Sequence, residues 1–188
     1  MTHAELVERG ARWLRAQGCN LVLSEFVAYT RYGEIPDVLG WRGGVSVLLE
    51  AKASRSDFLA DRKKVFRVNP EFGMGDWRIF IAPAGLIDAK DLPKGWSLLE
   101  VKGRTCTLAG GPLRTYELQS YGVTRKTRKV VAWHDVPPFT AHKPSEVSTL
   151  LSALRRLQLH LGDAEYHRLI HLTFAEKTHG SQSAPQPA

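Results

Sequence analysis

Val45-Ser46-Val47-Leu48-Leu49-Glu50-Ala51-Lys52 is the stretch that decides the fold. It is short, apolar and rich in β-branched residues, the composition of a strand. The period of two sends Val47, Leu49 and Ala51 to one face and Ser46, Leu48, Glu50 and Lys52 to the other. The first face is pure core, whereas the second ends in a carboxylate and an ammonium. Upstream, Ile35-Pro36-Asp37-Val38-Leu39-Gly40-Trp41 reads as a second strand, and Arg42-Gly43-Gly44 is long enough to join the two as a hairpin. Glu50 and Lys52 also admit a purely structural account, an exposed ion pair on a half-solvated sheet, which would contribute little to stability.

Two acids and a lysine at one place have a chemical use. Mg²⁺ takes oxygen ligands from one or two carboxylates, substrate phosphate and water. A lysine beside it can hold the attacking water and neutralise charge developing on a phosphorus-bound oxygen. Asp37 and Glu50 are the candidate metal ligands, the Ala51 carbonyl a further one, and Lys52 the catalytic helper.

Pro36-Asp37, a step of 13 residues, and Glu50-Ala51-Lys52 resemble the motif of the PD-(D/E)XK nuclease superfamily. Ser54-Arg55-Ser56-Asp57-Phe58 with Asp61-Arg62-Lys63-Lys64 further resembles phage and bacterial members related to the MmcB-like DNA-repair group. The resemblance covers roughly residues 3 to 100. It implies a restriction-endonuclease-like core, Mg²⁺ or Mn²⁺ as cofactor, and hydrolysis of phosphodiester bonds in DNA during repair, recombination or phage DNA processing. The competing class is a catalytically inactive nucleic-acid-binding or regulatory module on the same fold. Retention of all three residues, Asp37, Glu50 and Lys52, argues against it.

The 188 residues, 43% hydrophobic and 24% charged, suffice for one globular domain with a small appendage. A formal charge of +7 and a pI near 9.6 favour an acidic partner, with DNA the leading candidate. No stretch approaches the roughly 18 apolar residues of a membrane span, and the first residues lack the basic and apolar regions of a signal peptide. Cys19 and Cys106 have no metal spacing and form no disulfide framework. A bacterial or phage-infected cytoplasm is the expected location.

In chain order, residues 3 to 17 form an amphipathic helix ended by Gly18. Leu21 to Tyr29 reads as a strand with Glu25 in its apolar row. A buried lone carboxylate is costly, so Glu25 belongs either to the metal site or to a solvated strand edge. Glu34 is the alternative acid. A helix follows from Ser54 or Ser56 to Val68, with Ser54 and Asp57 in a capping pattern. Phe58, Leu59, Val65 and Phe66 share its apolar arc with Arg62, while Lys63, Lys64 and Arg67 gather elsewhere as candidate contacts to the DNA backbone, joined by Arg55 in the first turn. Such runs are more often solvated faces.

Trp77 to Ala82 is a buried strand, parallel to the Glu50 strand through a right-handed crossover. The class is therefore α/β, in the order helix, three strands, helix, strand, with a mixed central sheet. Ser97 to Val101 and Thr105 to Leu108 make a hairpin. Tyr121 to Trp133 is a basic tract with flanking aromatics, carrying Arg125, Lys126, Arg128 and Lys129. Pro144 and Asp163 open two helices, the second reaching about Glu176, and this C-terminal helical hairpin offers a homodimer surface. The expected organisation is a core over 1–140, a helical appendage over 141–177 and a disordered tail over 178–188. His167 and His171 have zinc-ligand spacing but lack the accompanying glutamate and a third ligand, which makes them surface histidines.

Overall fold

The computed structural model describes residues 1–119, 127–133 and 137–171. The expected contributions of Tyr121, Arg125 and Lys126, the end of the last helix beyond His171, and the tail lie outside the described residues. Two compact units divide the chain, Met1–Thr149 and Leu150–Ala188.

The first unit is built on a six-stranded mixed sheet in the order β1-β2-β3-β4-β5-β6. Its strands are β1 (Leu21–Ser24), β2 (Val38–Arg42), β3 (Val45–Ala51), β4 (Trp77–Pro83), β5 (Trp96–Lys102) and β6 (Thr105–Gly110). The hairpin between β2 and β3 pairs Arg42 with Val45. Its two loop residues, Gly43 and Gly44, both have positive φ, 53° and 89°, which a two-residue turn matching the strand twist requires and glycine allows without steric cost. β4 lies parallel to β3 as expected, and β5 is parallel to β4. β7 (Thr115–Gln119) and β8 (Thr127–Val131) form a separate antiparallel pair.

Both faces of β3 are covered, by different elements. Helix α1 (His3–Ala16) lays Leu6, Val7, Gly10, Ala11 and Leu14 on the face of Val47, Leu49 and Ala51. A Cβ at Gly10 would come within 2.9 Å of Leu49 Cδ2, so the missing side chain lets the helix sit close to the sheet. A capping box between Thr2 and Glu5 starts this helix. The other face, with Leu48, Phe80, Trp96 and Leu98, receives Phe58 from α2 (Arg55–Asp61).

Three expectations are corrected. β1 ends at Ser24 rather than Tyr29: Glu25 adopts a positive φ of 47°, and Tyr29 is fully exposed. The helix expected from Ser54 to Val68 breaks after Asp61 and resumes as α3 (Val65–Val68). Of its apolar arc, Phe58 alone is fully buried, while Leu59 and Val65 are exposed.

At the start of β3, Ser46 is the hub of a buried polar cluster. Asp76 accepts from the Ser46 N–H and from Lys143, Glu146 accepts from the Gly75 N–H at 2.9 Å, and the Ser46 hydroxyl, with its single proton, lies within hydrogen-bond reach of both carboxylates, 2.6 Å from Glu146 and 3.0 Å from Asp76. These bonds satisfy every member of the cluster and fasten the first turn of α4 (Lys143–Leu161) to the sheet. The second unit contains the end of α4 and α5 (Asp163–Ile170), with Leu151, Leu154, Leu157, Leu169 and Ile170 exposed. The rings of His167 and His171 stack on each other at 6.1 Å. No described helix is long and apolar enough to cross a membrane.

Candidate active site

The end of β3 brings Glu50 and Lys52 together. Glu50 pairs in register with Phe80 of β4, and the Lys52 N–H donates to the Ile81 carbonyl at 2.9 Å, so β4 holds both backbones. Their side chains are only 2% and 3% exposed. A solvated surface pair is thereby excluded.

A buried network of opposite charges surrounds them. Lys52 Nζ lies 3.0 Å from Asp61 Oδ1 and 3.5 Å from Glu50 Oε2. Arg67 spreads its three nitrogens over three acids: Nε to Asp61 at 2.6 Å, Nη1 to Glu34 at 2.9 Å and Nη2 to Glu50 at 3.1 Å. Lys64 adds contacts to Asp61 at 2.8 Å and Glu50 at 3.6 Å. Burial of this many ions is tolerated because each is paired. For Asp61, burial works against ionisation, but Arg67, Lys64 and Lys52 outweigh it and bring its carboxyl down to about 2. For Glu34, burial wins and its pKa is raised.

One pair in this network is incomplete. Glu50 Oε1 and Arg67 Nη2 are 3.1 Å apart but not aligned for a hydrogen bond, and neither has a hydrogen-bonding partner among the described residues. Glu50 therefore keeps a buried oxygen with unused acceptor capacity, which native structures seldom leave unexplained.

Asp37, just before β2, faces the same strand end. Its Oδ2 accepts from the Ala51 N–H at 2.7 Å. Burial, then the charge of Glu50, push its carboxyl up to about 6, against the pull of the Ala51 N–H, His3 and Lys52. Two carboxylates in one cleft repel, and a divalent cation relieves that repulsion. With the unused Glu50 oxygen, the donor set fits Mg²⁺, which takes few carboxylates and keeps several waters. Among the described residues, no three His, Cys, Asp or Glu side chains converge as a ready-made cage.

Glu25 is exposed, outside the strand that sequence placed it in. Its N–H donates to the Asp37 carbonyl at 2.8 Å, and His3 Nε2 stands between the two carboxyls, 3.6 Å from Glu25 and 3.5 Å from Asp37. Glu34, the alternative acid, is committed to Arg67 and to the Met74 N–H at 2.5 Å. Lys63, Lys64 and Arg67 do not form one solvated row: Lys63 is exposed, Lys64 is partly exposed and paired, and Arg67 is buried in the network. Arg55 pairs with Asp91 and lies over the Phe58 ring.

Asp61 and His3 are the residues that sequence reasoning missed. The spacing of Asp61 three residues after Phe58 places it on the buried side of α2, and an acid there was the available signal. No comparable signal marks His3. Beside Asp61 and Arg67 opens a cavity of about 450 Å³, walled by Phe80 and Trp96 and by Arg62 and Lys90.

No family model matches the chain, and no curated protein matches it. Among solved structures, it is similar to a protein of unknown function from Silicibacter pomeroyi, at 25% identity over 87% of this chain and 94% of that chain, with a TM-score of 0.53. The likeness is one of fold and carries no activity with it.

Proposed function

We propose that the protein is a metal-dependent deoxyribonuclease with a restriction-endonuclease-like core. The observation that carries this reading is the burial of Glu50 and Lys52 beside Asp37, where two carboxylates repel and one Glu50 oxygen, ion-paired with Arg67, accepts no hydrogen bond. The order α1-β1-β2-β3-α2-β4 supports the core assignment. Asp37 and Glu50, with the Ala51 carbonyl, would hold Mg²⁺ or Mn²⁺, which when bound polarises a phosphodiester and lowers the pKa of a water. Lys52, oriented by Asp61, holds that water or steadies charge on the phosphate oxygens. Arg67 and Lys64 screen the acids from one another, and of the cations expected at a DNA backbone Lys63, Lys64 and Arg55 keep exposure enough to meet one. Glu25 stays a candidate outer carboxylate across His3.

A second reading, a nucleic-acid-binding module with a vestigial site, is favoured by one observation: Lys64 and Arg67 already occupy Glu50. A cleavage assay over duplex, nicked, branched and single-stranded DNA with Mg²⁺ or Mn²⁺, run for the parent and for Lys52→Met, separates them. Metal-dependent cleavage lost in the variant upholds the nuclease. Binding without cleavage in the parent, with no metal-induced rise in Tm, upholds the module.

A further inference from the structure

The side of α1 that does not face the sheet forms, with the β5–β6 hairpin, a second concave surface. Its cavity, of about 670 Å³, is lined by Arg9, Arg12 and Trp13 from the helix and by Arg104 and Cys106 from the hairpin. Three guanidinium groups share this space, and none of its lining residues is acidic. Their internal partners are few. Arg12 reaches Glu8 at 3.6 Å, Arg9 donates to the Gly103 carbonyl, and Arg104 pairs with no acid among the described residues. Three like charges around one cavity repel, and folding gains little from holding them there. Trp13 supplies an aromatic wall, half-buried and seated edge-on against Trp133 at 6.5 Å.

We infer that this cavity is a binding site for single-stranded nucleic acid, with Arg9, Arg12 and Arg104 on phosphates and an unpaired base against Trp13. Guanidinium groups match phosphate geometry with paired donors, and base–aromatic stacking with cationic groups alongside is how single strands are held without sequence preference. A concave pocket with an indole on its wall takes an unstacked base, whereas a duplex presents its bases to one another and offers only phosphates. Arg9 lies roughly 9 Å along α1 from His3, at a rise of about 1.5 Å per residue, and His3 lies 3.5 Å from Asp37, so this surface and the candidate active site share one helix. The inference needs no cleavage, and it holds equally for a nuclease or a binding module.

The test is fluorescence anisotropy of the full chain with a labelled oligothymidylate of about 20 nucleotides, in EDTA, across a salt series. Arg12→Gln with Arg104→Gln is compared with the parent and with a control pair at exposed cations elsewhere, Arg31→Gln with Lys94→Gln. Expected is a loss of about tenfold or more in affinity for the first pair alone, and a salt slope flatter by about 1.4, from roughly 0.7 per phosphate contact on a single strand. Equal losses in both pairs would overturn the site, reducing it to general positive charge. Two competitors test the ligand. Inorganic polyphosphate displacing the strand as well as unlabelled oligothymidylate, charge for charge, would overturn the base contact. Tighter binding of a duplex of the same length, lost in the Arg12/Arg104 variant, would overturn the single-strand assignment. Because metal is absent throughout, none of these outcomes depends on whether Asp37, Glu50 and Lys52 perform catalysis.

Discussion

Arg67 Nε lies 2.6 Å from Asp61 Oδ2, six residues earlier in the chain. In a straight helix those residues would be about 9 Å apart along the axis and on different faces. The break between α2 and α3 folds one onto the other, and charge-assisted hydrogen bonds in a buried site offset the helical bonds given up there.

Arg67 should therefore be the most costly cation of the network to remove. Arg67→Met leaves Glu34, Glu50 and Asp61 short of a partner, and we expect a loss of about 3–5 kcal/mol, the scale for breaking a buried ion pair from one side. Arg67→Lys should recover only part of it, since one ammonium cannot reach three acids from three nitrogens. Urea unfolding of both variants measures this, and equal stability in Arg67→Lys and parent would contradict the three-way role.

Asp37 should make stability depend on pH near neutrality. Its folded pKa, about 6, lies above the ordinary 3.8, so its contribution is fully present below pH 3.8 and lost as pH rises through 6. At pH 7 and above, the free protein bears the cost of an ionised, half-repelled carboxylate, of order 3 kcal/mol at about 1.4 kcal/mol per pKa unit. Asp37→Asn keeps an acceptor for the Ala51 N–H and should raise Tm at pH 7.5, with the gain shrinking towards pH 4. The same variant should lose most of the Mg²⁺-induced rise in Tm. Melts with and without Mg²⁺ at both pH values check both statements.

Lys52→Met should abolish most cleavage, by about 10²- to 10⁴-fold, the range for a positioned proton-transfer group. Lys64 and Arg67 remain on Glu50 and Asp61, so the stability loss should stay near 1–3 kcal/mol, and DNA affinity without metal should be unchanged. A variant that folds and cuts like the parent would remove Lys52 from the chemistry.

Glu25 carries a backbone cost that only glycine avoids. Glu25→Gly should gain up to about 1 kcal/mol by relieving the positive φ, whereas Glu25→Gln keeps the strain and removes the charge. If the carboxylate assists the metal, both variants reduce the Mg²⁺-induced shift in Tm. A shift unaltered in both would strike Glu25 from the site.

The Glu50 strand, the Gly43-Gly44 hairpin, α1 and the parallel crossover were legible because each follows from local pattern or chain order: a period of two, a turn that needs glycine, a 3.6-residue stripe, a helical segment between two apolar strands. The break after Asp61 was not. No glycine or proline marks it, and its cause is a set of ion pairs to Glu34 and Glu50 that sequence spacing does not disclose. Lys64 and Arg67 look like an outward face in sequence for the same reason, since a charge looks solvated until its partners, from 14 to 33 residues away, are known to converge on it. Alternation places Glu25 in a strand, but the strand ends one residue before it.

Ser46 and Glu50 occupy opposite ends of one strand, and the chain closes on them at very different times. The turn that pairs β2 with β3 can form as soon as residue 51 is made, yet Ser46 waits for Asp76, 30 residues on, and for Glu146, 100 residues on. A nascent chain thus carries Glu50 and Lys52 long before the far end of their strand is locked. The final buried bond comes only when the first turn of α4 has left the ribosome, so synthesis of most of the protein precedes the last restraint on the strand that bears its candidate chemistry.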